Sequence, residues 1–213
     1  DVYLQHLAQD RHALPQQIKY LAADGYYAKT KYIEGVIELD LHLISKLRPD
    51  ANLRWLYQGE QKSRGCNRLY DGKVKFNDLS RFTFVTQQDD LSVYTAIVNS
   101  VRFKRNFRVV YLVKQVGDKV QTALLFSTDL ELAAEDILRF YKARFQIEFL
   151  FRDAKQFLGL NHCQARCNQA LHFHFNASMT ALNLLKLEDR LHRTNEEGES
   201  RKVISIASWK IRK

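Results

Sequence analysis

The chain has 213 residues, 46% of them hydrophobic and 12% aromatic, with a formal charge of +9 at pH 7. That is enough apolar chain to bury a core, and no apolar run approaches the ~18 residues of a membrane span. Three cysteines suit a reducing cytoplasm better than a disulfide framework, and no signal peptide opens the sequence.

In chain order, "DVYLQHLAQ" reads as the second half of a helix and "IKYLAAD" as a short buried strand, Ile18 to Ala23, closing at Asp24-Gly25. "YYAKTKYIEGVIEL" carries Tyr32, Ile33, Val36 and Ile37 at helical spacing, and "HLISKL", His42 to Leu47, is a second strand. Strand, helix, strand in that order is a βαβ unit, which predicts a partly parallel sheet with helices packed on it. After Arg48-Pro49-Asp50 the character changes. "KVKF", "RFTFVT", "LSVYTAIV", "FRVVYLVKQ" and "KVQTALLFS" are strand-like, with Asp71-Gly72 and Gly117-Asp118 as turn signals between strands. An all-β block over 52–128 inside an α/β chain reads as an insertion.

From Asp129 the chain turns helical. Thr128 or Asp129 is the expected N-cap of one long helix through "YKARFQIEFLFRDAK", and Gly159 is its expected stop. A second helix runs from about Asn168 to Leu191. "HRTNEEGESRK" is a polar linker, and "VISIASWKIRK" breaks off as a new element begins. The division is therefore 1–51, 52–128, 129–191 and 192–213.

The charge is uneven. Between Arg54 and Lys119 thirteen Lys/Arg stand against six Asp/Glu, a net +7. A basic segment of this kind suits a polyanion such as nucleic acid. Arg102, Lys104, Arg105 and Arg108 are the candidates to grip a DNA backbone.

With Tyr141 at 0° and about 100° per residue, Arg144, Glu148 and Lys155 fall at about 300°, 340° and 320°, a stripe roughly 21 Å long. Phe140, Ala143, Ile147, Leu150, Phe151, Ala154 and Leu158 form the expected core face. Phe145 and Phe149 flank the stripe, and Arg152, at about 20°, lies next to it. Half-buried charged groups in such a furrow need partners. The carboxylate would take a metal and the cations phosphate. An Arg144–Glu148 helix pair at i,i+4 accounts for the same spacing.

Tyr141-x2-Arg144-x3-Glu148-x6-Lys155 resembles the Y-(2)-R-(3)-E-(6)-K signature of DDE transposases from bacterial insertion sequences, the large fourth-numbered family. "IEFLFRDAKQFLGL", "CQAR" and "SIASWK" are similar to it as well, and the resemblance spans essentially the whole chain. It implies an RNase H-like α/β core with the β-rich insertion between the second and third catalytic carboxylates. Glu148 would be the third of these. "YLAADGYYAK" is similar to the site of the second, which makes Asp24 its candidate, although Asp-Gly is also a common turn former. Asp24 and Glu148 would hold two Mg²⁺ (or Mn²⁺) ions for phosphoryl transfer. Tyr141, Arg144 and Lys155 would contact the transposon end. Arg152 and Arg166 are further candidate phosphate contacts. The resemblance implies DNA as partner, both terminal inverted repeats and target, a homodimer in the synaptic complex, and a bacterial cytoplasm.

The first aspartate of the triad has no counterpart. Only 23 residues precede Asp24, and neither Asp1 nor Asp10 stands in a strand context. The expectation is thus a fragment, inactive by itself, of a transposase that cleaves and transfers transposon ends. A remnant that binds DNA without cleaving it and an unrelated two-metal nuclease are the alternatives. Trp55 reads as a core residue. Cys163-x3-Cys167 with His162, His172 and His174 is a loose match to a zinc site, and packing roles at a loop-to-helix junction are the expectation. No phosphate-cradling glycine loop is present.

Overall fold

The computed structural model describes residues 2–194. They form an eight-stranded sheet with five α-helices, divided into two compact units, 1–144 and a second beginning at Phe145.

The first unit opens with α1 (Val2–Asp10). β1 (Tyr20–Ala22), α2 (Thr30–Glu38) and β2 (His42–Leu47) follow as the expected βαβ unit. β1 and β2 pair in parallel, with Tyr20 opposite His42 and Ala22 opposite Ile44. Every other pairing is antiparallel. The remaining strands are β3 (Leu53–Leu56), β4 (Tyr70–Lys73), β5 (Thr83–Gln88), β6 (Leu91–Ser100), β7 (Arg105–Val116) and β8 (Lys119–Ser127). The spatial order is β1-β2-β8-β7-β6-β3-β4, with β5 on β6. β8 pairs directly with β2, Ser127 opposite Ile44. The strands of 52–128 therefore continue the sheet begun by β1 and β2.

Period-two alternation sorts the strands onto two faces. Leu43, Leu47, Val109, Tyr111, Leu124 and Phe126 pack with Tyr32, Ile33 and Val36 of α2. Trp55 joins this cluster as a core residue, its ring edge-on to Phe82 at 5.1 Å. Ile44, Val110 and Leu125 point the other way, against Ala134 and Ile137 of α3 (Ala134–Ala143).

Several local expectations are corrected. "KVKF" is not a strand beyond its first residue: β4 ends at Lys73, and Asp71-Gly72 lies inside β4, with Gly72 at φ +85°. Gly117, at φ +58°, does sit in the turn between β7 and β8. The long helix is two: α3 ends at Ala143 and α4 (Gln146–Phe157) begins after Phe145. Arg144 and Phe145 keep right-handed helical dihedrals. The amides of Arg144 and Glu148, however, bond three residues back, to Tyr141 and Phe145. This tightened turn interrupts the i−4 ladder with no glycine or proline to announce it. Neither Thr128 nor Asp129 caps the helix. The N-cap is Ala133, with no side-chain bond, because both side chains are engaged elsewhere.

In the second unit, α4 and α5 (Asn168–Thr194) enclose a small cluster of Ala154, Leu160 and Leu182. Gly159, at φ +66°, stops α4 as expected, a left-handed position that favours glycine. The expected core face of the long helix is only partly buried. Ala154 is covered, but Ala143, Ile147 and Phe151 are exposed; among the described residues the α4–α5 cluster takes in only Leu150, Ala154 and Phe157 of α4. α5 runs through 192–194, the start of the expected linker. The rest of that linker and the "VISIASWKIRK" element lie outside the described residues.

Candidate active site

β1 delivers Asp24 to the C-terminal edge of the sheet. The Ala23 amide still donates to the Ile44 carbonyl, at 2.9 Å, and the chain then leaves the ladder in a 3-10 turn over Gly25–Tyr27. Asp24 starts that turn. Its Oδ1 accepts from the Tyr26 amide at 3.0 Å, and its carbonyl accepts from the Tyr27 amide at 2.9 Å. From β2, the buried Ser45 hydroxyl donates to the same carbonyl at 2.9 Å. Gly25 lies against β2 so closely that a Cβ there would stand 3.1 Å from the Lys46 carbonyl oxygen. The exposed Asp24 carboxylate is thus held by a backbone fixed on both sides.

Tyr141, near the end of α3, comes within electrostatic reach of Asp24, and Arg144, just past the helix end, is its neighbour. Burial pushes the Tyr141 hydroxyl above its ordinary value. The Arg144 guanidinium opposes this by its charge and a hydrogen bond, while the Asp24 carboxylate adds to it. The Arg144 guanidinium also lies 5.8 Å from the Tyr141 ring centre. An acid, a phenol and a guanidinium therefore share one electrostatic neighbourhood.

The other predicted residues belong to the second unit. Glu148 is in the first turn of α4 and Lys155 in its last, both exposed. Seven residues apart, they occupy nearly one helical face, separated by roughly 10 Å of rise. Arg152 already has partners: its Nη2 lies 3.2 Å from Asp153 Oδ1 and its guanidinium 4.8 Å from the Phe149 ring centre. Arg166 is exposed in the segment before α5.

The carboxylates of Asp24, in the first unit, and of Glu148, in the second, each offer hard oxygens. That chemistry fits Mg²⁺, which is commonly held by one or two carboxylates together with waters and substrate phosphates. Among the described residues no group of three or more His, Cys, Asp or Glu could hold a metal. His174 Nε2 lies 3.0 Å from the Gly159 carbonyl, and Cys163 and Cys167 are free thiols. No described helix is long and apolar enough to cross a membrane.

Sequence reasoning missed Ser45 and Asp129. Ser45 is the one small hydroxyl inside "HLISKL", a signal open to notice. Asp129 was read as a helix cap. Instead its Oδ2 accepts from the Tyr20 hydroxyl at 2.8 Å and its Oδ1 from the Glu131 amide at 2.9 Å.

The family model for the transposase DDE domain matches residues 4–184. No curated protein matches the chain.

Proposed function

The chain belongs to the transposase DDE domain family, and on that premise we propose that it is part of a transposase that cleaves transposon ends and transfers them to target DNA. The mixed α/β architecture with a mostly antiparallel sheet fits the RNase H-like core of such enzymes. In this reading 1–51 and 129–191 are core and 52–128 is an insertion that prolongs the core sheet. Asp24 and Glu148 are the carboxylates that would hold divalent metal. When bound, Mg²⁺ would activate a water or 3′-OH and stabilise the leaving oxygen of an in-line displacement. Arg144 suits bidentate capture of a phosphate, Lys155 supplies a second cation, and Tyr141 lends a hydroxyl beside Asp24. Arg152 and Arg166 are secondary backbone contacts, and a homodimer would pair two DNA ends.

One observation carries the reading. Asp24 stands at a strand C-terminus within electrostatic reach of Tyr141 of the signature, which in turn has Arg144 as its partner, although more than a hundred residues separate Asp24 from Tyr141 in sequence. The test is a nicking assay, run with the transposase that contains this chain, on duplex carrying the element's ends, with Mg²⁺ and then Mn²⁺. Metal-dependent nicking that Asp24→Asn and Glu148→Gln each abolish, with DNA binding retained, is the expected result. Binding with no nicking under either metal would favour a protein that holds DNA without cutting it. Nicking unaffected by either substitution would remove both residues from the chemistry.

A further inference from the structure

The β6–β7 hairpin is the longest in the sheet, and between Leu91 and Val116 it contains no Asp or Glu. It carries five cations, and the turn at its tip concentrates three of them: Arg102, Lys104 and Arg105, all exposed. Most neighbouring arginines have partners. Arg54 donates to Asn99 and lies over the Tyr70 ring, Arg68 and Arg81 both pair with Asp71, and Arg108 donates to the Leu130 carbonyl. At the tip no ion pair forms among the described residues; Arg102 has only the Phe103 ring, at 5.3 Å.

The turn that presents these charges is fixed. Phe103 is buried and packs on Phe107 at 5.7 Å. The Val101 amide bonds the Asn52 carbonyl at 3.1 Å, and the Phe103 amide bonds the buried Ser100 hydroxyl at 3.4 Å. With Phe103 anchored inward, Arg102 and Lys104 on either side are left outside. Lys104 sits at φ +51°, a conformation that costs a non-glycine residue and that the anchored ring maintains.

Strand register gives the location. Ala22 is level with Ile44, Ile44 with Ser127, and Ser127 with Arg108, so β7 runs in the same direction as β1. Asp24 lies two residues beyond this level and Lys104 four residues before it. The tip and Asp24 are therefore at opposite ends of the strands, roughly 20 Å apart along them at ~3.3 Å per residue. One phosphate cannot touch both.

We propose that Arg102, Lys104 and Arg105 form a second, sequence-independent contact for the backbone of duplex DNA, remote from the phosphate addressed at Asp24. This rests on the transposase reading for the presence of DNA, and it adds a surface that reading does not contain. Lysine and arginine neutralising backbone phosphates release counterions, so each contact steepens the salt dependence of binding by about 0.9 in the log–log slope.

The experiment measures affinity of the full chain for a duplex of arbitrary sequence across about 50 to 200 mM salt. It compares the parent protein, the Arg102→Gln/Lys104→Gln/Arg105→Gln variant, and a control with Lys62, Arg64 and Lys73 changed to Gln. The control residues are equally exposed and remove the same charge. The tip variant is expected to flatten the slope by about 2.7, a roughly 40-fold smaller loss of affinity over that range, while the control changes it little. Binding by the parent with equal slopes in all three overturns the tip alone. Equal flattening in tip and control variants also overturns it, because net charge then suffices. A parent that binds no duplex overturns both the tip and the transposase reading. Unchanged melting temperatures show that the variants are folded.

Discussion

The Ser45 hydroxyl reaches from the middle of β2 to the backbone carbonyl of Asp24, 2.9 Å away, and ties the candidate metal-holding residue to the neighbouring strand. Ser45 is fully buried and this is its side chain's bond across the strands. The carbonyl also accepts from the Tyr27 amide, so Ser45→Ala leaves it one partner and opens only a small void. The expected cost is about 0.5–1.5 kcal/mol of stability by urea unfolding. Metal-dependent nicking should fall further than that loss explains, because the Asp24 loop gains freedom. Unchanged nicking with the expected loss of stability would reduce Ser45 to a folding residue.

Gly25 tests the same loop from the other side. A Cβ at this position would approach the Lys46 carbonyl oxygen to 3.1 Å, and that partner is backbone in a paired strand. The 3-10 turn has to move instead, by a few tenths of an ångström. Gly25→Ala should cost about 1–2 kcal/mol, in the range of ordinary steric insertions, and impair nicking. Gly65, with open space around its Cβ position, is the useful contrast in surroundings, although its φ of +103° strains any replacement.

Ile137 anchors the helix that carries Tyr141. It is fully buried against Ile44, Val110 and Leu125, and α3 has few other deep contacts with the sheet. Ile137→Ala should destabilise the protein by about 2–5 kcal/mol, the transfer cost plus a cavity. Denaturant midpoints measure this. A change below 1 kcal/mol would mean that α3 collapses onto the gap, and Tyr141 would then shift with it.

Much of the sheet was readable because its cues are local. "HLISKL" and "KVQTALLFS" are β2 and β8 to the residue, and Tyr32, Ile33 and Val36 fall on the buried face of α2. Asp24 was legible as a strand-ending Asp-Gly. What escaped depends on partners distant in sequence. Asp129 is drawn from a capping role by a tyrosine 109 positions earlier. The interruption at Arg144–Phe145 leaves the dihedrals helical and alters only which carbonyl each amide finds, so residue propensity carries no trace of it. Ile147 and Phe151 have the period of a core face but no partner in the α4–α5 cluster, and a pattern read from one element cannot supply one. Of the basic segment, composition gave the excess charge. Only the folded chain separates Arg108, bonded to a carbonyl, from the three cations at the hairpin tip.

The Tyr20–Asp129 pair gives a prediction with two limbs. Hydrogen bonding to Asp129 and burial raise the Tyr20 hydroxyl above its ordinary 10.0. Burial alone would push the Asp129 carboxyl up, but the Glu131 amide, the Tyr20 hydroxyl and nearby His42 together hold it below its ordinary 3.8. Signs follow from linkage. A raised tyrosine contributes stability that is present below pH 10 and is lost as pH climbs through the folded value. A lowered aspartate contributes stability that is present above pH 3.8 and is lost as pH falls through its folded value. Tyr20→Phe removes the bond and keeps the ring stacked on Phe140, now 5.3 Å from it. The stability gap between parent and variant should therefore be widest between about pH 4 and 10 and narrow at both ends. Urea unfolding at about pH 3, 7 and 10.5 measures it. A gap that is constant across all three would mean that the hydroxyl and carboxylate do not share a proton-linked bond in solution.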